Sequence, residues 1–174
     1  MYTVPMKYII GLFLLLFSLN AYAANQEECL ALNIYHEARG ESSLGQLAVA
    51  FVTVNRTKAG VKRWGNTICK TVYARTQFDW TNDSARVSDW TAYHKSLFLA
   101  RQVIHGHHSY DPTLGAVYYH AVGATPCWLP DVEKTVRIDN HIFYKKTDRK
   151  SESCYPSISQ KLNNLIKKVG LTYE

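Results

Sequence analysis

Apolar positions along the chain recur at two different periods, and together they predict a mainly α domain with one small antiparallel β element. From about Asn25 to Arg39, Leu30, Ile34 and Glu37 fall on one helical face with Asn33 beside them, and Gly40 is the natural residue to end the helix. Ser43 and Gln46 stand in capping-box spacing at the head of a second segment. There Leu44, Leu47, Ala48, Phe51 and Asn55 share a helical face, while Val49, Val52, Thr53 and Val54 are β-branched and compete for a strand. The length from Leu44 to Arg56 decides for helix, apolar nearly all round and therefore buried at the domain centre.

Lys58 to Asn66 reads as a basic turn region, followed by a short helix from about Thr67 to Ala74 and a polar loop from Thr81 to Arg86. Ser88 is expected to cap a helix whose stripe of Trp90, Tyr93, Leu97, Ala100 and Ile104 ends at Gly106. Period-two alternation then appears at Ala116–Ala121 and again at Val136–Lys145. In the second stretch Val136, Ile138, Ile142 and Tyr144 are expected on one side, with Asn140 among them, and Arg137, His141, Phe143 and Lys145 on the other. The two stretches would pair as a ribbon. Ile158, Leu162, Leu165, Ile166 and Val169 predict a last amphipathic helix stopped by Gly170.

The first residues follow a different rule. An apolar run from Tyr8 to Phe17 lies between Lys7 and the Ala21-Tyr22-Ala23 cleavage pattern, so residues 1–23 read as a signal peptide and 24–174 as a single domain. Spanning a bilayer takes roughly 20 apolar residues, which this run does not supply, although a retained anchor is the alternative. The expected location is periplasmic or secreted, as a monomer without stable membrane insertion after cleavage. Cys29, Cys69, Cys127 and Cys154 form an even set in an exported chain, which predicts two disulfides in one of three pairings. Without Lys7 the chain keeps 19 basic against 14 acidic residues, a net charge of +5. That excess serves solubility or attraction to a polyanion, and for an exported protein an anionic wall polymer fits better than nucleic acid.

Glu37 is the first candidate for chemistry. A carboxyl beside Leu30 and Ile34 resists burial, and burial raises its pKa toward that of a useful general acid. The plain alternative is an interior glutamate paired with Arg39 or Arg56. Aromatic and amide side chains recur at the ends of the predicted elements: Gln77 with Phe78, Tyr118 with Tyr119 and His120, Trp128, and His141 with Phe143. Such groups stack on sugar rings and bond their hydroxyls. Glycosidases normally place two carboxylates across the scissile bond. Glu41 follows Glu37 too closely to reach the opposite side and is read as a cap or support, while Asp79 and Asp83 are uncompelling second acids.

These residues resemble the SleB/CwlJ-type cell-wall hydrolases. The resemblance is carried by His36-Glu37-Ala38-Arg39-Gly40-Glu41, Gly45-Gln46-Leu47-Ala48-Val49-Ala50 and Val54-Asn55-Arg56, then in order by Gln77-Phe78, Gly115 to His120, Trp128 and His141 to Tyr144. It implies a lysozyme-like fold, peptidoglycan as substrate and no cofactor. It further implies a lytic transglycosylase in which Glu37 alone acts as acid and then base, supported by Glu41, Arg39 and Asn55. The four cysteines depart from the family pattern. Two rivals remain. A metal-dependent N-acetylmuramoyl-L-alanine amidase is suggested by His36-Glu37, but Gly40 stands where His-Glu-x-x-His needs its second histidine, so no metal site is expected. A non-catalytic wall-binding module would use the aromatic and basic surface without needing Glu37.

Overall fold

The computed structural model describes residues 25–83 and 85–147. The leader reading of residues 1–23, Cys154 and the helix expected at 158–169 lie outside the described residues. Among the described residues, four α-helices and a three-stranded antiparallel sheet make a mainly α fold, as the periodicities predict. The helices are α1 (25–38), α2 (Ser43–Lys58), α3 (Ile68–Val72) and α4 (Trp90–Ile104). The strands are β1 (Tyr118–Ala121), β2 (Val132–Ile138) and β3 (His141–Lys146), in the order β1-β3-β2.

α2 lies at the centre because it has two apolar faces to bury. Leu47, Ala50 and Phe51 pack with Leu30, Ala31 and Ile34 of α1 and with Leu99, Ala100 and Val103 of α4. Its opposite side offers Ala48 and Val52 to Ala116, Ile138 and Phe143 of the sheet region. Each fully buried Leu, Val or Phe side chain contributes about 1.5–3 kcal/mol, which outweighs the weak preference of the β-branched residues for a strand. α1 is tied to the end of α4 by Glu27, whose carboxylate meets Arg101 Nε and His105 Nε2, each at 2.8 Å. A disulfide joins Cys29 of α1 to Cys69 of α3, and Cys127 is also disulfide-bonded.

Several boundaries differ from expectation for local reasons. Ser42, not Ser43, caps α2, its hydroxyl accepting from the Gly45 N–H at 3.2 Å. Gln46 does not complete a capping box but donates to the Glu41 carbonyl at 3.0 Å. Asp89, not Ser88, caps α4, because Ser88 is engaged by the Tyr35 hydroxyl. Gly106 (φ +72°) closes α4 in the left-handed region, whereas Gly40 is not among the positive-φ residues.

The largest correction concerns the second alternating stretch, which is two strands and a turn. The chain reverses at Asp139 (φ +47°) and Asn140, so Ile138 faces His141 and Val136 faces Phe143 across the hairpin. Cross-strand partners share a face. Phe143 and His141 therefore lie on the same side as Val136 and Ile138, not opposite them. β1 pairs with β3, placing Tyr119 beside Phe143 and His120 beside Ile142. Tyr119, His141 and Phe143 thus share the inner face toward α2, while Tyr118, His120 and Tyr144 share the outer face.

Candidate active site

Glu37 stands near the C-terminal end of α1, and Tyr119 reaches it from β1. The Tyr119 hydroxyl donates to Glu37 Oε2 at 2.7 Å. Burial pushes the Glu37 carboxyl above the usual range; the Tyr119 hydrogen bond and the Arg56 charge oppose that, and the Asp79 charge adds to it. Tyr119 is itself pushed well up by burial and by the neighbouring Glu37, so it remains a hydrogen-bond donor. The pair leaves Oε1 without a described protein partner and Oε2 oriented. A donated bond favours the charged carboxylate, so Tyr119→Phe is expected to move the Glu37 pKa further upward. Carboxyl NMR titration checks this, and an unchanged or lower value would contradict the assigned role of the hydroxyl.

The surroundings of α1 hold this end in place. Trp80 donates from Nε1 to Asn33 Oδ1 at 3.0 Å, and Asn33 in turn donates to Thr53 Oγ1 at 3.0 Å. The Trp80 ring stacks on His36, centroid to centroid 4.5 Å. Burial lowers the pKa of His36, and the Arg39 charge adds to that.

The loop between α1 and α2 is clamped to the hairpin turn. Asp139 Oδ2 accepts from the Ser42 backbone N–H at 3.0 Å and from the Ser42 hydroxyl at 2.6 Å. A Cβ at Gly45 would collide with that carboxylate, so the close approach requires glycine here. Glu41 Oε2 accepts from the Asn140 N–H at 3.2 Å, and Oε1 lies 4.0 Å from His141 Nδ1. Burial lowers the His141 pKa, with Glu41 opposing that shift. The His141 ring meets Tyr119 edge-on at 5.2 Å. Glu41 is thus held by the hairpin turn and lies beside His141.

An open groove of about 560 Å³ runs beside Tyr119. Gln77, Tyr118 and Trp128 line it with Tyr119, as do Arg56, Arg63 and Arg75. Glu37 is not part of that lining; Tyr119 connects it to the groove. Apart from Trp128, which also lines the groove, the other residues singled out from the sequence stand outside its lining. His120 lies on the outer face, stacked on Tyr144 at 5.3 Å; its Nδ1–H donates to the Ala121 carbonyl and its Nε2 accepts from the Tyr144 hydroxyl. Trp128 covers that face, 5.3 Å from Tyr118, 5.8 Å from His120 and 5.6 Å from Tyr144. Phe78 is buried under the Arg56 guanidinium at 5.0 Å, and Phe143 is fully buried in the sheet core. Asn55 donates to Asp111 and to the Ala116 carbonyl, while exposed Arg39 lies over the Tyr35 ring. Among the described residues, no three His, Cys, Asp or Glu side chains converge as a metal site would require.

A model of the cell wall hydrolase family matches residues 40–144. The chain belongs to the cell wall hydrolase family. Among curated cell wall hydrolases it is 31% identical over 128 residues to the spore cortex-lytic enzyme of Bacillus cereus, covering 72% of this chain and 46% of that protein. It is 30% identical over 124 residues to the Bacillus subtilis enzyme, covering 70% of this chain and 38% of that one. The matched stretch thus spans less than half the length of these curated relatives. Among solved structures, the catalytic domain of the Bacillus cereus SleB protein superposes with a TM-score of 0.54 at 30% identity, over 70% of this chain and 90% of that one. The catalytic domain of the germination-specific lytic transglycosylase SleB from Bacillus anthracis gives 0.55 at 31% identity, over 70% and 94%.

Within this cell wall hydrolase fold, sequence reasoning missed Arg63, Arg75 and Trp64 as groove residues. The basic turn from Lys58 to Asn66 held part of the signal, since a cationic loop without a counter-charge points to an anion. Trp80 had no such signal: its contact with Asn33 joins residues 47 positions apart.

Proposed function

We propose that this chain cleaves the glycan strand of peptidoglycan between N-acetylmuramic acid and N-acetylglucosamine, as a lytic transglycosylase with Glu37 as its one acid and base. The observation that carries this is a half-buried carboxyl with a raised pKa, oriented by a tyrosine hydroxyl at 2.7 Å beside an aromatic groove. Glu37 gives its proton to the bridging oxygen as the bond from muramoyl C1 breaks. The carboxylate so formed is stabilised by the Tyr119 hydroxyl. It then takes the proton of the muramoyl C6 hydroxyl, whose oxygen closes on C1, and the acid is regenerated. No water is consumed. Trp128 and Tyr118 offer aromatic faces to the sugar rings, and Gln77 offers an amide.

Membership of the family supports wall glycan as the substrate class, and likeness to the Bacillus anthracis lytic transglycosylase supports the transglycosylase chemistry. The site also bears on how many acids take part. Glu41 is engaged with Asn140 and His141, which leaves Asp79 as the carboxylate whose charge reaches Glu37. A hydrolytic second reading would use exposed Asp79 to activate water on the opposite face. Asp79→Asn distinguishes the two. The one-acid reaction should keep its rate within a few-fold, whereas losing a working base costs roughly 10²–10⁴-fold. Mass spectrometry of the digested glycan gives the matching readout: a product lighter by one water supports the transglycosylase, and an ordinary reducing end would sink it.

A further inference from the structure

We propose that the groove beside Tyr119 is a carboxylate subsite, in which Arg56, Arg63 and Arg75 take the acidic groups that hang from the muramoyl residue. This deepens the glycan-cleaving reading and rests on it. The carboxylates belong either to an acidic stem peptide or, where the stem has been removed, to the bare lactyl group. Among the described residues, the groove has three arginines in its lining and no aspartate or glutamate.

Arg56 supplies the independent sign of a missing anion. It is only 7% exposed. Its Nε donates to the Val117 carbonyl at 2.8 Å, but its Nη1 is buried and without a hydrogen-bond partner. The guanidinium faces the rings of Phe78 at 5.0 Å and Trp64 at 5.9 Å, which attract a cation but leave its N–H donors open. No ion pair among the described residues includes Arg56. Glu37, the acid whose charge acts on it, holds its proton to higher pH because it is buried. A buried cation with an open donor is costly unless an anion completes it. Substrate is the natural source.

Arg63 and Arg75 are exposed and reach the groove from two separate turns, one within Lys62–Trp64 and one after α3. A guanidinium fork matches a carboxylate with two parallel hydrogen bonds. Tyr118, Trp128 and Gln77 on the same lining offer faces and an amide to the sugar that carries the acid. A neutral sugar chain would leave all three arginines unanswered.

The test measures binding to the Glu37→Gln chain, in which turnover of the probes is expected to be slowed by about 10²–10⁴-fold. Three probes are compared: peptide-bearing glycan strands, strands stripped of peptide that retain lactyl carboxylates, and neutral chitohexaose. Carboxylate-bearing strands are expected to bind roughly tenfold more tightly than chitohexaose. That preference should fall at least several-fold in Arg63→Gln/Arg75→Gln, both at exposed positions where folding is not at stake, and at about 1 M salt, where the screening length is about 3 Å. Tighter binding of the peptide-bearing strands assigns the subsite to the stem, and equal binding of the two acidic strands assigns it to the lactyl group. Equal binding of chitohexaose, or a preference that survives the double substitution undiminished, overturns the subsite. Cleavage of whole peptidoglycan by the unmodified chain is run alongside. If the strand is cut without any preference for carboxylates, only the subsite fails; if no glycan is cut, the underlying reading fails.

Discussion

Glu37→Gln is expected to lower glycan cleavage by about 10²–10⁴-fold, the usual worth of a positioned proton donor, while binding to isolated wall sacculi stays near that of the unmodified chain. Glutamine keeps the shape and an oxygen that can accept from the Tyr119 hydroxyl, so the packing of α1 against the sheet is preserved. What it lacks is the proton. The same substitution should reveal what the acid costs the fold. Unfolded, Glu37 titrates as an ordinary carboxylate; folded, it holds its proton to higher pH because it is buried. A raised folded pKa contributes stability that is fully present below the unfolded pKa and is lost as pH rises through the folded one. Over that window the Gln variant should gain in melting temperature relative to the unmodified chain, and the activity of the unmodified chain should fall as its donor ionises. A rate that keeps climbing into alkaline pH, or a Gln variant that clears glycan normally, would falsify the role given to Glu37.

Replacing Cys29 and Cys69 together with serine should produce the largest loss of stability. The bridge closes 40 residues of sequence, and a loop of that size restricts the unfolded chain by about 4 kcal/mol. Domains have total stabilities of about 5–15 kcal/mol, so this is a large fraction. Urea unfolding measures it as a lowered midpoint, with a slope that rises because the released unfolded chain exposes more surface. The bridge holds the first turns of α1 to α3, more than a full helical turn from Glu37, so folded molecules should keep their turnover at low temperature. A midpoint that barely moves would show that Glu27, with Arg101 and His105, already secures α1.

The helices can be read from the sequence because each is specified by its own residues. The stripes of α1, α2 and α4 are local periodicities, and burial on two sides explains why α2 tolerates so many β-branched residues. The caps are harder. Ser42 or Ser43, and Ser88 or Asp89, are equal by composition; the choice is made by Asp139 and Tyr35, which lie far away in sequence. The hairpin escapes a sequence reading for a stricter reason. Apolar residues at Val136, Ile138, Ile142 and Tyr144 keep the same period on both sides of polar Asn140, so period alone does not reveal that the chain reverses there. That reversal sorts the candidate site residues, sending His141 inward with Tyr119 and His120 outward with Tyr144. Glu37 is legible as an acid on an apolar face. Its partner is not, because no local pattern marks a tyrosine that meets a glutamate 82 positions away.

That separation means the acid is made by folding. In the extended chain Glu37 is an ordinary ionised carboxylate with no hydroxyl to orient it. The environment that raises its pKa exists only in the folded chain, where α1 meets the sheet and Ser42 is bonded to Asp139. A fragment that ends before β1 would carry the glutamate without the tyrosine that orients it. On the proposed role of Glu37, the unfolded chain would therefore carry no cleaving activity, and activity would depend on contacts between distant parts of the sequence.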